Sequence, residues 1–464
     1  MKKQFFYAAL AIGMMSSCSS NDLPGNQQPE NPEDERVAIE LGVSPLNTVV
    51  TTRGTGFVGN ESDAEAAKWD KQPLNILMLK KVKADATKLE KAVDENDQYI
   101  FEGLNFSAPA MTADQQNTSE QNYEGKLTND KGAVRYYPLT GAYDFFGWHF
   151  DDATIEESPA NFDVTDYTYK ITINGTQDIM VGKAELTETQ KGLIDADKGS
   201  LESSDAYARA YSSWAARRRV QPIIQFKHLL SRLDFVADLG KDLDETDATI
   251  NPTKTSDDTD YETAYGTGGY PSKNEDGTIN NGVYVKSIKI LDPVSTFNVT
   301  VASTTTSNLY SISNPTDPTP GTSFTLMQKP AAADGTTPME ALEPVNAGYK
   351  DSDPTQKVGS GIMIVPGQNS FTMEVELMQY VPVIDPADQT PIPSVEKRYE
   401  WKTAKMQTEV KLTGDKVFEA GKYYTVTITM YGFQKIEVHA ELAAWKEGEG
   451  ITSNPEDENF TTGE

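Results

Sequence analysis

"VAIELGVS", residues 37–44, alternates apolar side chains with small or polar ones. Successive side chains of a strand point to opposite faces, so Val37, Ile39, Leu41 and Val43 share one face. Ala38, Glu40, Gly42 and Ser44 share the other. The stretch reads as a half-buried strand, and the same pattern recurs along the chain. Further strands are expected within 74–82, 98–106, 133–150, 167–175 and 177–186. After residue 220 they resume within 222–239, 283–291, 296–303, 361–367, 370–380, 406–412, 422–433 and 435–445. Gly, Asn, Asp and Pro punctuate the gaps, and long polar insertions at 240–281 and 304–358 read as surface loops.

One segment departs from the pattern. In "SSDAYARAYSSWAARRR" (203–219), Tyr207, Ala210, Tyr211 and Trp214 recur at helical spacing, and Ser203 or Ser204 can cap the start. One short helix is expected there, at the junction of two domains. Many strands with one helix imply an all-β chain of antiparallel sandwiches. The expected division is 37–219 for the N-terminal β-sandwich domain and 220–446 for the C-terminal one. An acidic polar tail follows at 447–464.

The N-terminus carries a different signal. Lys2 and Lys3 precede an apolar run from Phe5 to Met15, which suits a secretory signal and falls short of the ~20 residues of a spanning helix. Ser16 and Ser17 lead into Cys18, the only cysteine among 464 residues. Small residues before a cysteine behind such a run are what a lipoprotein signal peptidase reads, so Cys18 is the expected lipidation site and 1–18 the signal peptide with its lipobox. An ordinary signal cut elsewhere is the other reading. With Cys18 acylated no thiol remains for disulfides. Residues 19–36, polar, Pro-rich and acidic, read as a disordered tether between the lipid and the fold.

The formal net charge of −29 is spread along the chain and argues against nucleic acid as a partner. Chemistry is hard to find. The three histidines, His149, His228 and His439, lie far apart in sequence, and no HExxH, GxSxG or phosphate-cradling motif occurs. Asp195, Asp197 and Gly199 resemble the start of a calcium loop but lack its twelfth-position Glu. His228, on an apolar strand, reads as a packing histidine. Arg217, Arg218 and Arg219 read as a solvated helix end. No cofactor, metal or catalytic residue is expected, and the chain reads as no enzyme.

Several stretches together resemble the fimbrillins, or type V pilins, of Bacteroidales, including the fimbrillin-like lipoproteins. They are "TTRGTG" (51–56), "YDFFGWH" (143–149), "QDIMVG" (177–182), "HLLSRLDF" (228–235), "GIMIVPG" (361–367), "FEAGKYYTVTI" (418–428) and the last strand ending in Trp445. The resemblance implies two tandem transthyretin-like Greek-key sandwiches. It also implies a lipoprotein precursor carried to the outer membrane, cut by an Arg-specific protease and polymerised with other pilin subunits into a cell-surface fimbrium by strand exchange. The resemblance then implies Arg53, followed by Gly54, as the cleavage site, in a segment whose glycines let a protease draw it in. By its residues alone Arg53 also reads as an ordinary surface arginine of a β-branched strand. Val37, Ile39, Leu41 and Val43 would form the displaced N-terminal strand. Ile436, Val438, Ala440 and Leu442, again every second residue, would form the donor strand. Those four also fit a permanent place in the C-terminal core. The tail after Trp445 has few apolar residues and makes a poor donor. A surface glycan-binding lipoprotein of a nutrient-uptake complex is the alternative, with Trp148, Trp214 and Trp401 as a sugar platform.

Overall fold

The computed structural model describes most of residues 36–43, 73–107, 125–239, 272–328, 340–382, 399–430 and 436–443. Cys18, Arg53, Gly54, the signal peptide, nearly all of the tether and the tail at 447–464 lie outside the described residues. The chain is all-β. Val37–Glu464 forms one compact unit, and Met1–Arg36 is set apart as another.

A nine-stranded sheet organises the first half. Its order is Gly125–Lys126, Gly42–Val43, Ile223–His228, Met180–Ala184, Tyr143–His149, Pro73–Val82, Glu102–Ser107 and Thr128–Asn129, with Asp85–Lys91 also paired to Pro73–Val82. Every residue of Tyr143–His149 is buried, because both faces of this central sheet are covered. On one face Leu77, Leu79, Phe146, Trp148 and Val181 share a core with Tyr169, Ile171, Phe297 and Val299 of a four-stranded sheet. That sheet runs Ser311–Ser313, Thr296–Ser303, Asp166–Thr172, Thr154–Glu157. On the other face Ile76, Met78, Phe145 and Met180 share a core with Ile39, Leu41 and Val43 and with Ile194, Ala206 and Ala215 of a helical layer.

The second half pairs two more sheets. One contains Ser231–Leu239, Tyr423–Met430 and Ile436–Ala443 in that order, the other Val283–Leu291, Ser370–Pro382 and Tyr399–Lys411. Leu233, Phe235, Val426 and Ile428 of the first pack in one core with Ile288, Ile290, Met373 and Val375 of the second. Hydrogen bonding runs across residue 219. Ile223–His228 completes the central sheet, and Thr296–Ser303 pairs with Asp166–Thr172.

Three helices occur among the described residues where the periodicity predicts one. They are α1 (Glu188–Ala196), α2 (Ser203–Ala208) and α3 (Ser213–Ala216). The apolar spacing through 203–219 is real, but Tyr211 adopts φ 54, a left-handed backbone that no helix continues through. Ser212 then accepts from the Ala215 N–H at 3.2 Å and starts α3 afresh. A capping box begins α1: Thr187 and Gln190 exchange side-chain and backbone hydrogen bonds. Similarly, 133–150 does not form one strand. Gly141 turns at φ 115, and the central strand starts only at Tyr143.

Candidate functional site

Val37, Ile39, Leu41 and Val43, the strand expected to be displaced, have a definite seat in the structure. Glu40 is exposed, whereas Ile39, Leu41 and Val43 are buried and Val37 is half-buried. The strand is held on both sides. The Ile39 N–H donates to Arg135 O at 2.8 Å and the Tyr137 N–H to Val37 O at 2.9 Å, around an antiparallel bridge between Ala38 and Tyr136. Further along, Gly42 and Val43 pair antiparallel with Lys126 and Gly125, and parallel with Ile223 and Ile224. A parallel neighbour requires a long crossover, so Ile223 is brought here by the whole domain rather than by a local turn.

The floor beneath the strand is aromatic. Phe145 lies edge-on to Tyr211 with ring centroids 6.0 Å apart, and edge-on to Tyr137 and Phe101, each at 6.2 Å. Burial pushes the Tyr137 hydroxyl well above the usual tyrosine range, with Tyr211 and Tyr143 adding to it. The Tyr143 hydroxyl is pushed up to about 12, mainly by burial. These phenols therefore stay neutral, and the Tyr143 hydroxyl donates to Thr140 O at 3.0 Å. At the rim, Gln190 of α1 donates from Nε2 to Gln221 O at 2.7 Å. The Gln221 side chain accepts from the Glu40 N–H at 3.3 Å, which links the helical layer to the strand.

The candidate donor strand is in place elsewhere. Ile436–Ala443 pairs antiparallel with Tyr423–Met430, from Tyr423 opposite Ala443 to Met430 opposite Ile436, at the end of its sheet's strand order. Ile436, Val438, Ala440 and Leu442 thus belong, by backbone pairing, to the chain's own C-terminal sheet.

Several of the other singled-out residues have structural partners. Asp195 accepts from Tyr207, Ser203 and Lys198, which hold its carboxyl below the usual range with the Tyr207 bond foremost. Asp197 pairs with Arg218 at 2.9 Å. Arg218 also lies over the Trp214 ring at 4.1 Å. Trp148 is 2% exposed, so it offers no sugar platform, and the side chain of Trp401 lies outside the described residues.

Five of the stretches behind the family resemblance meet around the end of Ile223–His228 and the start of Ser231–Leu239, whereas "TTRGTG" lies outside the described residues. His228 Nδ1 sits 2.7 Å from Asp178 Oδ2, joining "HLLSRLDF" to "QDIMVG". His149 of "YDFFGWH" and His228 both register against Met180, one strand to either side. Arg232 Nε donates to Asp234 Oδ1 at 2.9 Å, both side chains 4% exposed. Gly361 of "GIMIVPG" lies so close over this pair that a Cβ there would come within 2.7 Å of Arg232 Nε. From "FEAGKYYTVTI", the Gly421 N–H donates to Leu230 O at 2.9 Å, and Glu419 O accepts from Ser231 Oγ at 2.6 Å. Sequence reasoning missed Asp178 and the strand partners Arg135–Tyr137 and Gln221. The one available signal for Asp178 is a carboxylate placed directly before an apolar run.

No family model and no curated protein matches this chain. Among solved structures it is similar to a candidate cell adhesion protein from Bacteroides uniformis (14% identity, 89% of this chain and 100% of that one, TM-score 0.38). It is also similar to the fimbrial anchor protein Mfa2 from Porphyromonas gingivalis (8%, 88% and 98%, TM-score 0.31). A third is a fimbrial assembly protein from Parabacteroides distasonis (11%, 88% and 99%, TM-score 0.30). Scores of this size do not establish a common fold, and the functional reading rests on this chain's own residues.

Proposed function

We propose that this chain is a structural subunit of a cell-surface fimbria, without enzymatic activity. In this reading it is exported as a lipoprotein through Cys18 and carried to the outer membrane. A protease then cuts after Arg53, and the subunit assembles by replacement of its N-terminal strand. The observation that carries the reading is the seat of Val37–Val43. Three buried side chains there contribute roughly 5–9 kcal/mol before entropy is subtracted. A strand so held does not leave while the chain behind it is continuous. Cleavage at Arg53 converts it into a separate peptide whose local concentration vanishes once it departs. Its departure opens an aromatic-floored groove between Arg135–Tyr137 and Pro222–Ile224, with unpaired backbone groups on both sides. An alternating strand from a neighbouring subunit fits such a groove. Ile436–Ala443 is the candidate donor and must first leave Tyr423–Met430. The sequence stretches resembling fimbrillins, and the lipobox, support the same reading.

The test uses the bridge between Ala38 and Tyr136. It is a non-hydrogen-bonded antiparallel pair, where Cα atoms lie about 4.5 Å apart, within disulfide reach. Ala38→Cys with Tyr136→Cys, oxidised, should keep the strand seated after cleavage and block polymerisation. Reduction of the same protein should restore it. Equal polymerisation of the oxidised and reduced forms would refute replacement through this groove.

A further inference from the structure

Three large apolar side chains stand out of the surface on one short segment: Val134 is 61% exposed, Tyr136 41% and Leu139 69%. Between them Arg135 is half-buried, and Tyr137 packs into the core below. From Val134 to Tyr143 the sequence holds one cation, Arg135, and no carboxylate, in a chain of net charge −29. An exposed apolar stretch without acids is unusual on so acidic a surface, and such patches mark contact sites.

The position of the segment identifies what it meets. It lies beside the point where the chain enters the fold. The Tyr137 N–H donates to Val37 O at 2.9 Å, and Ala38 bridges to Tyr136. The pairing is antiparallel, so Arg36, which is exposed, lies toward the Leu139 end and Glu40 toward the Val134 end. Only residues 19–36 separate Cys18 from Val37. A flexible chain of that length has a root-mean-square span of about 25 Å, somewhat more when its charges repel. Lipid on Cys18 therefore holds the Leu139 end close to a bilayer, at an effective concentration in the ~mM range. Three partly exposed side chains are too few to bind a membrane from free solution, but at that concentration a weak contact suffices. Tyr136 suits the boundary, because a tyrosine places its ring among apolar groups and its hydroxyl in water.

We propose that Val134, Tyr136 and Leu139 form a membrane-docking face, which lies on a lipid bilayer while the precursor is tethered through Cys18. The proposal rests on the reading of Cys18 as the lipid-bearing residue, and adds a protein contact to the lipid anchor. Release of Val37–Val43 takes the tether with it, so the contact belongs to the precursor and ends with assembly.

The test attaches the chain from Cys18 to Glu464 to phosphatidylcholine vesicles through a maleimide lipid. Its single thiol puts the linkage on the sulfur that acylation uses. Hydroxyl-radical footprinting, read by mass spectrometry, compares this protein with one blocked at Cys18 and mixed with the same vesicles. Oxidation of Tyr136 and Leu139 should fall at least about threefold on tethering. Ile155 and Val417, apolar and exposed on other parts of the chain, should be oxidised as before. Val134→Asp with Leu139→Asp, both at exposed positions, should return Tyr136 to the rate of the untethered protein. Equal oxidation of Tyr136 and Leu139 with and without the tether overturns the proposal. Equal protection of Ile155 and Val417 also overturns it, since the protein then lies on the vesicle without a preferred face. Protection in the untethered protein that grows with its concentration overturns it in favour of a second copy as the occupant. Because the linkage is chemical, the result does not depend on acylation in the cell. Cys18 without fatty acid in cells would remove the lipoprotein reading, whereas an unprotected Tyr136 on vesicles would remove the docking face alone.

Discussion

His228 Nδ1 and Asp178 Oδ2 lie 2.7 Å apart with side-chain exposures of 5% and 0%. A carboxylate this deep is tolerable only with a partner. The pair ties the chain just before Met180–Ala184 to the end of Ile223–His228, where the central sheet gives way to the strand at Ser231–Leu239. Asp178→Ala leaves His228 without this partner and should lower stability by about 2–4 kcal/mol. Chemical denaturation measures this. A loss within the ordinary range of surface substitutions would show that the pair is not structural.

His149 makes stability depend on pH. Burial holds its imidazole below the ordinary histidine value, against opposing contributions from Pro73 O, Asp178 and Asp152, while His228 lowers it further. The unfolded chain, with a value near 6.5, takes up the proton first. Stability from this group is therefore full above about pH 6.5 and is lost as the pH falls below it. His149→Asn keeps a donor for Pro73 O, which lies 2.8 Å from Nδ1, but cannot titrate. Its unfolding free energy should fall less steeply than wild type between pH 6.5 and 5. Parallel curves would contradict the assignment.

Two glycines in the central sheet should differ in their response to alanine. A Cβ at Gly182 would come within 2.5 Å of the backbone oxygen of Gln225, on the neighbouring strand. A Cβ at Gly147 would meet the far edge of the Phe226 ring at 2.8 Å, and a ring can shift. Gly182→Ala should cost about 2–3 kcal/mol and Gly147→Ala nearer 1 kcal/mol. Thermal or denaturant unfolding of the two variants gives the order, and the reverse order would refute it.

The all-β class was legible because alternation is a local property. Ile39, Leu41 and Val43 need no knowledge of their partners to declare a face. What depended on distant contacts was not legible. Asp178 reads as a surface carboxylate until His228, fifty positions later, is folded against it. The helix at 203–219 was visible in its spacing, yet the break at Tyr211 is a backbone conformation that spacing does not encode. The partners of the N-terminal strand hid for the same reason. Arg135–Tyr137 reads as part of a longer strand, and Ile223 arrives in parallel from the far side of the helices. Lipidation and cleavage, at Cys18 and Arg53, rest on sequence alone.

Arg53→Ala should accumulate full-length lipidated precursor and deplete fibres, read by immunoblot of surface-sheared and membrane fractions. Normal fibres from this variant would show that cleavage after Arg53 is dispensable.

The most direct test of strand replacement is peptide mapping by mass spectrometry of subunits in fibres sheared from the cell surface. If the N-terminal strand is released to open its groove, each assembled subunit begins at Gly54, and peptides containing Val37–Val43 are absent. Subunits that still begin at acylated Cys18, or fibres that retain Val37–Val43, would contradict it.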